Sequence, residues 1–233
     1  MIFSDLFYLF LFVMFSAGLS FGGKILLEKE LEDSLGSCGA VKKAVNIWLV
    51  LSFLAVIPVS VRFILMNNWR ISPQIPFLMQ YVILFCLHIS LADFYTRSFF
   101  LEMTPFLALL PVIGGFSFGF RNMLLGLIGG LVISGAFLLF EKIFTGKSTY
   151  GGGDVLAGTA YTGLATILFA LHYWMAVSIL MLVCFIVIMI YGKLRKGTFL
   201  SGKLIPLLPV LSMPACLIYW LGVSGKIDLI YYF

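Results

Sequence analysis

Residues 155–192 read VLAGTAYTGLATILFALHYWMAVSILMLVCFIVIMIYG and contain no Asp, Glu, Lys or Arg. A helix needs about 20 mainly apolar residues to cross the hydrocarbon core of a bilayer, so this stretch is long enough to cross it twice. We predict two membrane helices here, Asp154–Leu171 and Trp174–Gly192, joined by an external turn at His172 and Tyr173. Aromatic residues at such a turn are typical of the membrane interface.

The rest of the chain has the same apolar character. Hydrophobic residues make up 62% of the 233 residues and charged residues 11%, whereas about 25% of the residues in an ordinary globular protein are charged. We therefore predict an all-α polytopic membrane protein with about eight transmembrane helices, in a single domain spanning residues 1–233. The other six predicted helices are Ser4–Gly22, Ala44–Met66, Pro76–Asp93, Thr104–Phe118, Asn122–Ile143 and Leu204–Gly222.

Lysine and arginine are distributed unevenly between the two sets of predicted loops. One set contains Lys24, Lys29, Lys42, Lys43, Arg97, Lys142, Lys147, Lys193, Arg195, Lys196 and Lys203, and the other contains Arg62, Arg70, Arg121 and Lys226. Cytoplasmic loops carry the excess of positive charge, so the first set should face the cytoplasm and both termini should lie on the other side. Because these residues are scattered between apolar segments, we predict no nucleic-acid partner. The expected location is the inner, or plasma, membrane, with the lipid bilayer as the surrounding partner.

Two acidic residues border apolar helices at the same predicted membrane face. Asp93 ends the third predicted helix and Asp154 begins the sixth, both on the cytoplasmic side. Acids in such positions are costly and usually mark a functional site or a paired charge. The largest group of other acids lies in the polar first loop, which we predict to be solvated: Glu28, Glu30, Glu32 and Asp33.

Three consecutive glycines, Gly151–Gly153, precede Asp154. One interpretation is structural, since Asp after a glycine-rich turn is a common helix N-cap. The other is functional, since glycines let another backbone approach closely, as a peptide substrate must. Two carboxyl groups held together in a partly dry site share one proton, and such a pair can activate water for attack on a peptide bond. Asp93 and Asp154 are therefore candidate catalytic residues.

The glycine segment ending in Asp154 resembles the Gly-x-Gly-Asp motif of type IV prepilin peptidases and archaeal preflagellin peptidases. The segment Leu91–Arg97 is similar to the first catalytic motif of that family, in which basic residues follow an acid at a helix end. Two further segments look like the family: the connecting helix with Gly126, Gly129 and Gly130, and the late segment 202–209. The resemblance covers about residues 91–222, the expected catalytic core, and is weak over residues 1–90.

This resemblance implies a membrane aspartyl endopeptidase with Asp93 and Asp154 as its catalytic pair. The implied substrate is a pilin-like or flagellin-like precursor, whose short basic leader is cleaved at the cytoplasmic membrane edge. Candidate substrate-binding residues are Gly151, Gly152, Gly153 and Arg97, with contact to lipid phosphates as the alternative for Arg97. No cofactor or metal is expected. The sequence leaves the oligomeric state open.

The chain departs from the family pattern at several positions. The family usually has a lysine two residues after the second acid, where this chain has Leu156, and an Ile-Pro pair where it has Phe99 and Phe100. Cys38 is the single cysteine of the first predicted cytoplasmic loop. Bacterial members often carry a cysteine-based metal site in that loop, and the site is associated with methyl transfer. The resemblance therefore gives no basis for predicting N-methyltransferase activity.

Two other functions fit the same sequence. A transporter or channel could use a membrane-embedded acid to carry protons or to bind a cation, and an acid at the bilayer midplane on a broken helix would favour it. A non-catalytic pilus or secretion assembly subunit could keep the fold without the activity. His88 and Cys86 would not share a helix face, so we predict a buried or hydrogen-bonded histidine rather than a metal ligand.

Overall fold

A computed structural model describes residues 2–65, 74–96, 101–145, 151–196 and 207–225. Within these ranges the chain forms seven α-helices and one short 3₁₀-helix, and no β-strand. The α-helices are α1 (Ile2–Leu35), α2 (Gly39–Leu65), α3 (Gln74–Thr96), α4 (Thr104–Phe118), α5 (Phe120–Thr145), α6 (Gly152–Lys196) and α7 (Leu207–Val223); the 3₁₀-helix is Leu101–Met103. The prediction of an all-α fold is confirmed.

Five of the described helices contain segments long and apolar enough to cross a bilayer. These segments are Leu6–Leu35, Gly39–Val61, Gln74–Thr96, Phe120–Ile143 and Gly152–Cys184. The helices α4 and α7 are apolar but shorter. The chain thus has the helices of a polytopic membrane protein, while the count of eight spans and the side of the termini stay predictions.

The chain divides into two compact units, Met1–Phe106 and Leu107–Phe233. In the first unit α1, α2 and α3 pack against one another, and in the second unit α6 packs against both α5 and α7. The prediction of one membrane domain with a catalytic core over residues 91–222 stays a prediction.

The centre of the first unit is a buried apolar cluster to which three helices contribute. Its buried members are Leu27, Leu31, Val41, Ala44, Val45, Trp48, Leu84 and Ala92. The indole Nε1 of Trp48 also donates a 2.8 Å hydrogen bond to the backbone carbonyl of Ser20. Both the burial of this ring and its directional hydrogen bond therefore fix α2 against α1.

α1 is longer than predicted, because it continues through the polar segment that follows its apolar part. Leu27 and Leu31 lie one turn apart on this extension and are fully buried, so the extension has an apolar face of its own. It ends before Gly36, whose positive φ of 70° is typical of a helix C-cap. The prediction that Glu30 lies in a solvated loop is wrong, since this side chain is helical and only 3% exposed.

α6 covers the sixth and seventh predicted helices, as two helical segments that meet at a kink at Thr166. The predicted external turn at His172 and Tyr173 is wrong, because both residues lie within the helix and Tyr173 is buried. The helical geometry is instead interrupted at Thr166, with φ 58° and ψ 174°. A positive φ is strained for a β-branched residue, and Thr166 is fully buried. Broken backbone at membrane depth is tolerated where protein surrounds it.

Close packing in the second unit depends on glycines of α5. A Cβ at Gly126 would lie 2.8 Å from the carbonyl oxygen of Thr162, and one at Gly130 would lie 2.9 Å from the Cα of Thr159. Both would meet backbone atoms, which cannot move aside as side chains do. Small residues on both helices thus let α5 and α6 approach closely. Asp154 lies at the start of this closely packed half of α6.

Gly114 of α4 provides the most direct test of this packing. A Cβ there would lie 2.6 Å from the backbone carbonyl oxygens of Gly163 and Leu164, so Gly114→Ala should destabilise the protein by about 1–3 kcal/mol. Gly135→Ala is the matched control, because nothing lies within 4 Å of a Cβ at that position. Thermal unfolding of both variants in detergent checks this prediction. Equal stability of the two variants would contradict it.

Candidate active site

Asp154 lies in the first turn of α6. Its Oδ2 accepts a 2.8 Å hydrogen bond from the backbone N–H of Gly151, and the backbone N–H groups of Asp154 and Val155 donate to the carbonyl oxygen of Gly151 at 3.1 and 3.2 Å. Gly151 is therefore the N-cap residue, and the carboxyl group of Asp154 reaches back to it from the third helical position. Asp154 therefore helps to cap α6, as the structural interpretation predicts, although the N-cap residue itself is Gly151.

The position of Asp154 also matters for its charge. The helix dipole places partial positive charge at the first turn, which stabilises a carboxylate there. The side chain is half-buried, so it remains partly accessible. These features are compatible with a structural and a chemical role at once.

The glycines before Asp154 leave the backbone uncovered. Gly151 and Gly152 are exposed and Gly153 is half-buried. A Cβ at Gly152 would meet nothing within 4 Å, and one at Gly151 would meet only the Oδ2 of Asp154, at 3.6 Å. An approaching peptide would find open backbone here, while the assignment of these glycines to substrate binding stays a prediction.

Asp93 lies in the last turn of α3, which continues to Thr96. Its side chain is only 7% exposed, and the preceding Ala92 belongs to the buried cluster around Trp48. The hydroxyl of Thr96 donates a 2.8 Å hydrogen bond to the carbonyl oxygen of Ala92. Asp93 is thus a buried acid on a helix with well-packed neighbours, as expected for a functional or paired carboxyl group.

The other predicted site features have different outcomes. Arg97 lies outside the described residues. Asp93 belongs to the first unit and Asp154 to the second, so the pairing of their carboxyl groups stays a prediction.

The break in α6 bears on the transporter alternative. An acid at the break would favour a transporter, but Thr166 is followed by apolar residues and the acid of this helix, Asp154, lies at its start. Between Asp154 and Lys193 the sequence contains no further Asp, Glu, Lys or Arg. The broken part of α6 therefore lacks the acid that would favour this alternative.

A second ionisable pair lies in the first unit. The Nε2 of His88 and the Oε2 of Glu30 are 3.0 Å apart, and His88 is only 4% exposed. The ring of Trp48 packs edge-on against His88, with the ring centroids 5.4 Å apart. The prediction of a buried, hydrogen-bonded histidine is confirmed. Its partner was missed, although Glu30 follows Leu27 by three residues and Leu31 follows Glu30 directly, a spacing that indicates one buried face.

Comparison of the chain with protein-family models, with curated proteins and with solved structures finds no match. Within the described residues no three His, Cys, Asp or Glu side chains come together as a metal site. Membership of the prepilin peptidase family stays a prediction.

Proposed function

We propose that this protein is a membrane aspartyl endopeptidase similar to prepilin peptidases, which removes a short basic leader from pilin-like precursors. The observation that carries the proposal is the environment of Asp154. An acid in the first turn of an apolar helix follows a segment of uncovered glycine backbone, which suits a carboxyl group that acts on an extended peptide. The second acid is Asp93, which is buried at the end of another apolar helix.

In the proposed reaction the two carboxyl groups share one proton. The ionised carboxylate removes a proton from water while the water oxygen attacks the carbonyl carbon of the scissile peptide bond. The protonated carboxyl group donates a hydrogen bond to the developing oxyanion. When the tetrahedral intermediate collapses, the C–N bond breaks and a proton passes to the leaving amine. The pair titrates jointly, so neither acid has a fixed role.

The proposed topology places this reaction at the cytoplasmic edge of the inner membrane. The distribution of Lys and Arg supports it, because most of them fall between the predicted membrane spans on the side where α3 ends and α6 begins. With about eight spans, both termini lie on the opposite side. A basic leader can then remain hydrated in the cytoplasm while the apolar helix of the precursor stays in the bilayer.

The proposal is tested by coexpression with pilin-like precursors that carry basic leaders. We expect the precursor to lose its leader, seen as a mobility shift on a gel and as a new N-terminus by mass spectrometry. Cleavage should continue in EDTA, because the proposed mechanism needs no metal ion. If purified protein in nanodiscs leaves every such precursor intact, the proposal is wrong.

A proton-coupled transporter is the second candidate, and the Glu30–His88 pair supports it. Buried acid–histidine pairs between membrane helices occur in proton relays. Proteoliposomes loaded with a pH-sensitive dye test this candidate. A transporter would show a proton flux that Glu30→Gln abolishes. We expect instead no flux above that of empty liposomes.

A further inference from the structure

The first part of α6 runs antiparallel to α5. A Cβ at Gly126 of α5 would lie 2.8 Å from the carbonyl oxygen of Thr162, and one at Gly130 would lie 2.9 Å from the Cα of Thr159. A step forward along α5 is therefore a step backward along α6. Residues 152–165, before the kink, form this first arm of α6, which is about 21 Å long at 1.5 Å per residue.

The second arm of α6, residues 167–196, turns back alongside α5. The ring of Trp174 stacks on that of Phe137, with the ring centroids 5.7 Å apart. If α6 continued straight past Thr162, Trp174 would lie about 18 Å beyond it, in the direction away from Phe137. The contact therefore requires the chain to reverse at the kink, Thr166. α6 is thus a helical hairpin with a short first arm and a longer second arm.

α5 provides a scale for depth in the bilayer. Arg121 and Lys142 are exposed near its two ends, and the 21 residue steps between them correspond to about 32 Å along the helix. This length matches the hydrocarbon core of a bilayer, which is about 30 Å thick. Between them the sequence has no charged residue except Glu141, beside Lys142. The two membrane interfaces therefore lie close to these basic residues.

On this scale Asp154 lies inside the cytoplasmic interface. Thr159 and Thr162 both lie against Gly130 of the antiparallel α5, and Asp154 precedes them by five and eight residues. Asp154 is therefore level with residues 135–138 of α5. The basic residue at this interface lies about 6–10 Å further toward the cytoplasm.

The second arm of α6 leads to the same conclusion. Asp154 precedes the kink at Thr166 by twelve residues, so its level on the second arm is about twelve residues after the kink. From there the sequence stays free of Asp, Glu, Lys and Arg as far as Lys193, about fifteen residues further on. Such an apolar segment belongs in the hydrocarbon core, so the core extends past the level of Asp154.

The chain is open to its surroundings at this depth. Gly151 and Gly152 are exposed, and a Cβ at Gly152 would meet nothing within 4 Å. The first turn of a helix contains backbone N–H groups that have no partner within the helix. Lipid tails offer them no acceptor, so exposed backbone at membrane depth occurs where it borders water. The half-buried carboxyl group of Asp154 has the same requirement.

We propose that Asp154 lies at the inner end of a water-filled recess in the cytoplasmic leaflet, bordered by α5 and the second arm of α6. Both borders continue past the first turn of α6, α5 as far as Thr145 and the second arm as far as Lys196. The recess opens at the cytoplasmic membrane edge and brings water about one to two helical turns into the bilayer. It would supply the water for the proposed reaction, but it does not depend on that reaction.

Thiol reagents of two sizes test this inference. Each test protein has one cysteine, either the exposed native Cys38 or an introduced one, with the other native cysteines replaced by serine. From the cytoplasmic side of membrane vesicles, Gly152→Cys should react with a small charged methanethiosulfonate at a rate within about tenfold of that of Cys38. It should not react with a polyethylene-glycol maleimide too large to enter a recess, whereas Cys38 should react with both. Gly151→Cys should give the same pattern as Gly152→Cys.

Leu139→Cys is the matched control, because Leu139 lies at nearly the same level of α5 and is exposed on its apolar surface. Its thiol should react with both reagents about a hundredfold more slowly than Cys38, because the reactive thiolate does not form in hydrocarbon. After denaturation in SDS every test protein should react fully with both reagents, which shows that each thiol is intact.

The labelling pattern decides the inference without any cleavage assay. Reaction of Gly152→Cys and Gly151→Cys with both reagents would put the first turn of α6 at the membrane surface and overturn the recess. Reaction with neither would mean that protein or lipid covers these glycines, which overturns it as well. In either case the peptidase could still stand. The expected labelling in a protein that cleaves no precursor would keep the recess and reject the peptidase.

Discussion

Asp93→Asn and Asp154→Asn should each reduce leader removal by about 10²- to 10⁴-fold, while the protein stays folded and inserted. Asn is close in size to Asp but cannot share a proton with a second carboxyl group. Each substitution therefore removes the means of activating water and changes little of the shape of the site. The measurement is the initial rate of cleavage of a precursor by purified protein in nanodiscs.

Asn is the informative replacement at position 154. The Oδ2 of Asp154 caps α6 by accepting the N–H of Gly151, and the amide oxygen of Asn can accept the same hydrogen bond. Loss of activity in Asp154→Asn would then come from the chemistry of the carboxyl group. Asp154→Ala would lose the cap as well, at a cost of about 1 kcal/mol, so its inactivity would be ambiguous.

Two exposed acids provide controls for this prediction. Asp33→Asn and Glu102→Gln change the same functional group at positions that are exposed, and both should cleave at the wild-type rate. Continued processing by Asp93→Asn or Asp154→Asn would remove that residue from the mechanism. Equal losses in all four variants would point to net charge rather than to a catalytic pair.

The sequence predicted most of the helices because membrane helices are marked by local composition. α4 has the predicted bounds, Thr104–Phe118, since a polar or charged segment lies close to each of its ends. The two wrong predictions about helix ends have one cause. In α1 the polar segment predicts a helix end, and in α6 the aromatic residues at His172 and Tyr173 predict a turn. In both helices packing decided instead, through Leu27 and Leu31 or through burial of Tyr173.

Asp154 and the Glu30–His88 pair differ in how much of their surroundings the sequence predicts. The context of Asp154 was readable because the glycines, the acid and the helix it starts are consecutive in sequence. Glu30 and His88 are separated by 58 positions, and nothing local to either one indicates the other. Only the packing of α1 on α3 brings them together, and such packing is not encoded in a short motif.

His88→Leu should destabilise the first unit, with an expected loss of about 3–5 kcal/mol. The physical reason is the environment of Glu30. Its Oε2 is paired with His88, and its Oε1 is buried without a hydrogen-bond partner among the described residues. Removing the imidazole would leave the whole carboxyl group buried and unpaired. The free energy of burying an unpaired acid is much less favourable than that of leaving it in water.

The double variant Glu30→Leu/His88→Leu separates the pair from its packing. Replacing both members of a buried pair by apolar residues of similar size is often neutral or stabilising, so the double variant should recover most of the stability that His88→Leu loses. His172→Leu is the matched control, because its Nδ1 is buried without a partner in the described part of the chain. We expect that substitution to leave the free energy of unfolding unchanged or higher, because it removes a buried polar atom that lacks a partner.

Unfolding in mixed detergent micelles, followed by circular dichroism, gives the free energies of the wild type and of four variants: His88→Leu, Glu30→Leu, the double variant and His172→Leu. The interaction energy from the Glu30 and His88 single and double variants then measures the coupling of the pair directly. Equal stability of His88→Leu and the wild type would mean that water or lipid headgroups reach Glu30. In that case α1 would not be anchored to α3 through this pair.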